Sequence, residues 1–148
     1  MRRSTRSSLF PDVNVWVALT YSGHSHNQAA WTWFRSLDDS HLLFFCRLTQ
    51  ISLLRLLTTR SVMGGEVMTQ DEAWSAYDRW IQDERVFFAD EPPDAEEVFR
   101  SLSRDAQPNS KKWADDYLAA FSITAGLSFV TFDQAFQGRV ADLVLLRS

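Results

Sequence analysis

The segment 9-LFPDVNVWVAL-19 places one carboxylate, Asp12, inside an otherwise apolar run. Residues 8–19 predict a buried strand that runs into a helix near Asn14, with Asp12 at the end of the strand. A buried carboxylate is costly unless it is paired, hydrogen-bonded or bound to a metal ion. Asp12 is therefore the first candidate for a functional side chain.

The composition indicates one globular domain. The chain has 148 residues, and 45% of them are hydrophobic, which is enough for a real core. We assign residues 8–148 to a single domain and residues 1–7, which are basic, to a flexible tail. Cys46 is the only cysteine, so an intrachain disulfide is excluded and a reducing, cytoplasmic location is expected. No apolar run approaches the length of a membrane span.

Predicted strands alternate with predicted helices along the whole chain. Further strands are expected at 41–46, 85–89, 127–133 and 142–146, and helices at 25–37, 48–62, 73–83, 94–106 and 110–126. This alternation is typical of a parallel sheet with helices on both faces. We therefore predict a three-layer α/β/α fold around a central parallel sheet of four to five strands.

Acidic side chains follow two of these strands. In an open parallel sheet, functional groups gather beyond the carboxyl ends of the strands, near the point where the strand order reverses. Asp12 ends the first strand, Asp133 ends the fourth, and neighbouring strands lie about 4.8 Å apart. Asp115 and Asp116 lie in the first turns of the helix that precedes the fourth strand, and either could join them.

A cluster of carboxylates without a cation is unfavourable, because like charges repel. Oxygen ligands suit a hard divalent ion, Mg²⁺ or Mn²⁺, which can activate water and stabilise charge on a phosphoryl oxygen. Asn14 could orient Asp12 or a water, and Thr131 could donate its hydroxyl to a carboxylate. The net charge of −4 argues against a broad basic surface for nucleic acid, but not against an enzyme that grips phosphates through a metal.

Structural roles compete with functional ones at several positions. Asp133 could simply cap a helix, and Asp115 could be an ordinary acid in a first helical turn. Arg55 either contacts an RNA phosphate or extends to solvent. His24 and His26 are expected at the surface or as caps, with substrate contact or acid–base chemistry as the alternative. Lys111 and Lys112 are expected on a solvated face, with phosphate binding as the alternative. Trp113 is expected in the core or at an interface, with base stacking as the alternative.

Taken together, DVNVWVAL, WADDYLAAFS and FVTFDQAF resemble, in order and spacing, the PIN-domain ribonucleases, and most closely the VapC toxins of bacterial toxin–antitoxin pairs. The segments 24-HSHNQAAWTWF-34 and 49-TQISLLRLLT-58 resemble further parts of that family. The likeness covers nearly all of residues 8–146. Each motif is soft alone, but several in order are fairly specific.

This resemblance implies a PIN-like nuclease domain with a Mg²⁺-dependent (or Mn²⁺-dependent) acidic pocket that cleaves RNA phosphodiester bonds by metal-activated water. Asp12, Asp115 and Asp133 match the family's acidic positions, and Asp115 rather than Asp116 precedes the x-Y-L-A-A run. These three are the expected metal ligands and catalytic residues, one of them assisting as a general base. The implied partners are RNA, a cognate VapB-like antitoxin that presents a basic side chain to the acids, and a second copy of the chain.

One position departs from the family pattern. Many relatives carry a glutamate early in the third helix, and Gln50 takes that place here. Glutamine keeps a carbonyl oxygen but loses the charge, so metal affinity could be weaker. A catalytically weak or inactive module that binds RNA or a protein is therefore the alternative function. Two other functions rank lower. An aspartate-nucleophile phosphatase needs a second aspartate two residues after the first, where this chain has Asn14. A phospho-acceptor receiver needs a lysine soon after a late strand, and none follows the fourth or fifth strand closely.

Overall fold

The computed structural model describes residues 7–148, which form a five-stranded parallel sheet between two layers of helices. Six of the seven residues of the predicted tail thus lie outside the described residues, and Ser7 opens the first strand. The strands are β1 (Ser7–Pro11), β2 (His41–Phe45), β3 (Val86–Phe88), β4 (Ser128–Thr131) and β5 (Leu143–Leu145). The helices are α1 (Val13–Thr20), α2 (Asn27–Arg35), α3 (Arg47–Leu57), α4 (Arg60–Met63), α5 (Gln70–Ile81), α6 (Ala95–Ser103) and α7 (Trp113–Ala125).

The strand order is β3-β2-β1-β4-β5, and every neighbouring pair is parallel. The predicted α/β/α architecture and its parallel sheet are therefore confirmed. The chain builds outward from β1 through β2 to β3, then returns to the other side of β1 to lay down β4 and β5. This reversal lies between β1 and β4, which is where open α/β sheets bind ligands.

Alternation along the strands divides the apolar side chains between two cores. Leu9 and Val130 face the core under α1, α2, α3 and α5. Phe10 and Phe129, their chain neighbours, face the core under α7. Trp16 is fully buried on the first side and stacks on Phe45 with ring centroids 4.1 Å apart.

Helix ends follow the sequence signals closely. Thr69 and Glu72 form a reciprocal cap of α5: the Glu72 N–H donates to Thr69 Oγ1 at 3.1 Å and the Thr69 N–H donates to Glu72 Oε1 at 2.8 Å. Gly126 ends α7 in the left-handed conformation, at φ 68°, which favours glycine. The helix predicted over 48–62 is interrupted after Leu57 and continues as the short helix α4. The 3-10 turns at Gly64–Glu66 and Gln134–Phe136 were not anticipated. Within residues 7–148, the helices lack the length and apolar character needed to cross a membrane.

Candidate functional site

Asp12 is a buried carboxylate held at the junction of β1 and α1. Its backbone N–H donates to the carbonyl of Val130 at 2.8 Å, which continues the pairing of β1 with β4. Its Oδ1 accepts the backbone N–H of Val13 at 2.7 Å, so the side chain caps α1. The side chain is thus positioned by the central strand pair and by the start of a buried helix.

The Thr131 hydroxyl organises the polar groups around Asp12. Thr131 Oγ1 accepts bonds from Asn14 Nδ2 at 3.2 Å and from the Asp133 backbone N–H at 3.0 Å. Because both of these groups can only donate, the hydroxyl proton points to Asp12 Oδ2, 2.8 Å away. Both β1 and β4 therefore contribute to one network, and the supporting roles of Asn14 and Thr131 at a metal site stay predictions.

Burial raises the pKa of Asp12 from 3.8 to about 6. The hydrogen bonds from Thr131 and Val13 act in the opposite direction, and the charges of Asp115 and Asp133 add to the rise. Within residues 7–148, no basic side chain forms an ion pair with Asp12. Asp12 therefore has no cationic partner among these residues, and a bound cation would stabilise its ionised carboxylate.

Asp133 and Asp115 lie beside Asp12 at the same edge of the sheet. Asp133 is exposed and caps the 3-10 turn, because its Oδ1 accepts the Ala135 N–H at 2.9 Å. Asp115 is half-buried in the first turn of α7, and burial first, then the charges of Asp133 and Asp116, raise its pKa, against the effect of Arg139. The capping role considered for Asp133 is thus present together with its proximity to the other acids.

The three aspartates sense one another's charge without forming a closed cage. Within residues 7–148, no three His, Cys, Asp or Glu side chains lie close enough together to hold a metal ion. The convergence expected from the sequence is therefore incomplete in this conformation. The donor set itself, three carboxylates of which one is buried and unpaired, fits a hard divalent cation.

Asp116 has a different environment from Asp115. It is buried, and Lys112 Nζ donates to its Oδ2 at 2.9 Å while Arg139 donates to its Oδ1. Arg139 also lies 3.8 Å from Asp115 Oδ2. The spacing of Lys112 and Asp116 in the sequence fits a helical ion pair. No sequence pattern links Arg139 to these aspartates, so the sequence analysis did not predict its contacts with them.

Gln50 and Arg55 both lie on α3, but Gln50 is buried whereas Arg55 is exposed. Gln50 is buried and its Oε1 accepts a bond from Arg47 Nη1 at 2.7 Å, so its carbonyl oxygen is already engaged. Arg55 is exposed and lines a groove of about 400 Å³ between α3 and α5, together with Ile51 and Trp74. None of the three aspartates lines that groove.

Two histidines lie near the same edge. His24 Nδ1 accepts the backbone N–H of His26 at 3.0 Å, a local capping bond. The His26 ring stacks on Phe132, with centroids 4.4 Å apart, and also contacts Ser148. These contacts fit the structural role expected for both histidines.

Comparisons with known proteins agree with this architecture. The PIN domain family model matches residues 9–142. Ribonuclease VapC41 of Mycobacterium tuberculosis is 42% identical over 132 residues, covering 86% of this chain and 90% of the relative.

Two solved structures share the fold at low sequence identity. The M. tuberculosis toxin VapC20, which cleaves the Sarcin-Ricin loop, superposes with a TM-score of 0.67 at 16% identity, covering 94% of this chain and 99% of the other. VapBC2 from Rickettsia felis, bound to a DNA fragment from its promoter, superposes with a TM-score of 0.66 at 13% identity, covering 95% and 99%.

Proposed function

Because this chain belongs to the VapC-type ribonucleases of the PIN-domain family, we propose that it is a Mg²⁺-dependent endoribonuclease and the toxin of a toxin–antitoxin pair. One observation carries the proposal beyond family membership. Asp12, at the end of the central strand, is buried without a basic partner among the described residues, beside two further carboxylates. Such a site favours a divalent cation over any neutral ligand.

Asp12, Asp115 and Asp133 are the proposed metal ligands and catalytic residues. Mg²⁺ or Mn²⁺ bound there would activate a water and stabilise negative charge on the cleaved phosphate. Asp115 and Asp133 are exposed enough to turn towards Asp12 when a cation offsets their mutual repulsion. Asp12 needs no such movement, because its bonds to Val13 and Thr131 already hold it in place.

Thr131 and Asn14 act on the site through Asp12. The Thr131 hydroxyl donates to one carboxylate oxygen and thereby favours the ionised form that a metal requires. Asn14 bonds both to that hydroxyl and, through its Oδ1, to the backbone N–H of Phe132 at 3.4 Å. It therefore ties the start of α1 to the segment that carries Asp133.

The proposed partners follow from the same family. A VapB-like antitoxin would inhibit the chain by presenting a basic side chain to the acids, of which Asp12 has no ion-pair partner among the described residues. A homodimer is supported by exposed apolar side chains on the α3–α5 groove, where Ile51 is 52% and Trp74 is 47% exposed. The cytoplasm, where RNA and antitoxin meet, is the proposed location.

The proposal is tested by comparing the native chain with Asp12→Asn. Native protein should cleave single-stranded RNA with Mg²⁺ or Mn²⁺, lose this activity in EDTA, and arrest growth when it is expressed without antitoxin. Asp12→Asn should neither cleave RNA nor arrest growth. Asp142→Asn, which removes an exposed carboxylate before β5, should do both as the native protein does. Growth arrest or cleavage that persists unchanged in Asp12→Asn would refute acid-dependent catalysis.

The alternative is a catalytically weak or inactive module of the same fold that binds RNA or a protein. Two observations favour it: the carbonyl oxygen of Gln50 is occupied by Arg47, and the acidic side chains in residues 7–148 form no ready-made three-ligand metal group. A Mn²⁺ titration separates the two functions. If native protein neither binds Mn²⁺ nor cleaves RNA, and Gln50→Glu gains both, the inactive module is correct.

A further inference from the structure

A cationic depression lies directly beside Asp115. It has a volume of about 300 Å³ and is lined by Asn109, Lys111, Lys112, Asp115 and Arg139. Three of these five residues carry positive charge, in a protein whose net charge is −4. This local surplus of positive charge therefore stands against the overall balance, next to one proposed metal ligand.

Two of the three cations are held rigidly. Lys112 Nζ donates to the Leu102 carbonyl at 3.1 Å and to Asp116 Oδ2 at 2.9 Å. The Arg139 guanidinium donates to the other oxygen of Asp116 and lies over the Phe136 ring, 5.2 Å from its centroid. One buried carboxylate thus orients two cations, and Asp115, 3.8 Å from Arg139, adds a second negative charge beside them. The three cations of the depression therefore exceed the two carboxylates by one charge.

The third cation, Lys111, is free to reach an outside ligand. Its side chain is exposed, and within residues 7–148 it takes part in no ion pair. An exposed ammonium beside two oriented cations matches a phosphodiester, whose oxygens accept several charge-assisted hydrogen bonds. A phosphate there would share Lys112 and Arg139 with Asp116 and would gain Lys111 as a partner of its own.

An exposed aromatic ring adjoins the same depression. Trp113 is 57% exposed although it stands only two residues before Asp115. One edge of its indole meets Phe99 at 6.2 Å, and the ring borders a cleft of about 730 Å³ between α6 and α7. The charges that line this cleft are mixed, and Arg100 is paired with Glu96 at 2.8 Å. On its other side, Trp113 lines a small pocket together with Asn109 and Lys112, which also line the cationic depression. An exposed indole next to such cations is suited to stacking on a nucleobase of single-stranded RNA.

We propose that the N-terminal end of α7 and the loop around Arg139 form a subsite for one flanking nucleotide of the RNA substrate. The cationic depression of Lys111, Lys112 and Arg139 holds its phosphate, and Trp113 stacks its base. The inference rests on the proposed function, since that function makes RNA the ligand. It adds to the metal site a means of positioning the strand, because a bound neighbouring phosphate sets which linkage reaches the carboxylates.

The subsite makes two separable predictions for RNA binding. A phosphate contact contributes to the salt dependence of affinity, with a slope of about 0.7 per contact on single strands. Lys111→Ala should therefore lower the slope of log K against log salt by about 0.7. Trp113→Ala should leave the slope unchanged and weaken binding about tenfold, while Trp113→Phe, which keeps a stacking face, should retain most of the affinity.

Both variants are measured by fluorescence anisotropy with a short labelled single-stranded RNA of mixed sequence, in EDTA so that the strand stays intact. Arg79→Ala, which removes an exposed cation on α5, is the matched charge control and should keep the native slope. An RNA of the same length with abasic sites is the matched ligand for Trp113. The native chain should lose affinity on abasic RNA, and Trp113→Ala should not discriminate between the two strands.

The outcomes separate this subsite from the proposed activity. If Lys111→Ala and Arg79→Ala give the same slope, or if Trp113→Ala weakens base-containing and abasic RNA equally, the subsite is refuted whether or not the chain cleaves RNA. If both signatures appear in a chain that never cleaves RNA with Mg²⁺ or Mn²⁺, the subsite stands and the nuclease activity is refuted.

Discussion

Replacing Asp12 by asparagine should abolish metal-dependent cleavage and, at the same time, stabilise the metal-free protein at neutral pH. The stabilisation follows from burial, which raises the pKa of Asp12 from 3.8 to about 6. When the carboxyl is ionised in both the folded and the unfolded state, that difference corresponds to about 3 kcal/mol of destabilisation. A neutral amide of nearly the same shape removes this cost.

The substitution also loses one hydrogen bond. The new amide can keep the carbonyl oxygen that accepts the Val13 N–H, so the cap of α1 survives. Its NH₂ group would face the Thr131 hydroxyl, which now donates to Asp12 Oδ2 and accepts from Asn14 and Asp133. Because an NH₂ group cannot accept, the Thr131 O–H would lose its acceptor. That loss costs about 1 kcal/mol. The free energy of unfolding of Asp12→Asn should therefore exceed the native value by about 2 kcal/mol near pH 7.5.

The gain in the free energy of unfolding of Asp12→Asn should depend on pH. Between pH 3.8 and about 6 the folded state holds the Asp12 proton more tightly than the unfolded state, so it binds more protons. Native stability therefore falls as pH rises through this window, relative to that of the variant. The advantage of Asp12→Asn should be small near pH 4 and should reach its full size above about pH 6.5.

Urea unfolding in EDTA at several pH values measures this effect, with Asp142→Asn as the control for removing one negative charge at an exposed position. Adding Mg²⁺ should stabilise the native chain and leave Asp12→Asn nearly unchanged, because only a protein that binds the ion gains from it. The reasoning is refuted if Asp12→Asn is less stable than native protein at neutral pH in EDTA, or if the difference does not change with pH.

Three further substitutions give distinct outcomes. Gln50→Glu should change Mn²⁺ affinity in calorimetry by less than about threefold, because Arg47 would pair with the new carboxylate as it now bonds Gln50 Oε1; a tenfold gain would contradict this. Thr131→Val should lower the free energy of unfolding by about 2 kcal/mol and reduce cleavage, whereas Thr131→Ser should retain both, since the hydroxyl serves Asp12 and accepts two donors. Thr69→Ala should cost about 1 kcal/mol in urea unfolding by removing the cap of α5 and leave the cleavage rate at its native value; a loss of cleavage would show that α5 affects the site.

Local patterns in the chain were enough to predict the fold. Alternating strand and helix signals predicted the parallel sheet, because a crossover helix between strands leaves few other arrangements. The sequence also carries the signals for the end of α7 at Gly126 and for the cap of α5 at Thr69, because each depends on only a few adjacent residues. The resemblance to a known family, carried by short motifs, selected Asp115 over Asp116 as the proposed ligand.

The environment of each site residue required the tertiary structure. Two adjacent aspartates in WADDYLAA are chemically identical in the sequence, yet Asp116 is buried between two cations while Asp115 is half-buried and senses the charges of Arg139 and Asp133. Burial of Asp116 and its bond to Lys112 set the two apart, while Arg139, distant in the chain, contacts both. Arg47 likewise determines what the oxygen of Gln50 contacts.

The sequence alone thus determined the succession of strands and helices along the chain and the identity of the acidic side chains, because both depend on short-range periodicity and short motifs. Only the tertiary structure decided which charges those acids meet. Burial and Coulomb interactions act between side chains that are close in space, irrespective of their separation along the chain.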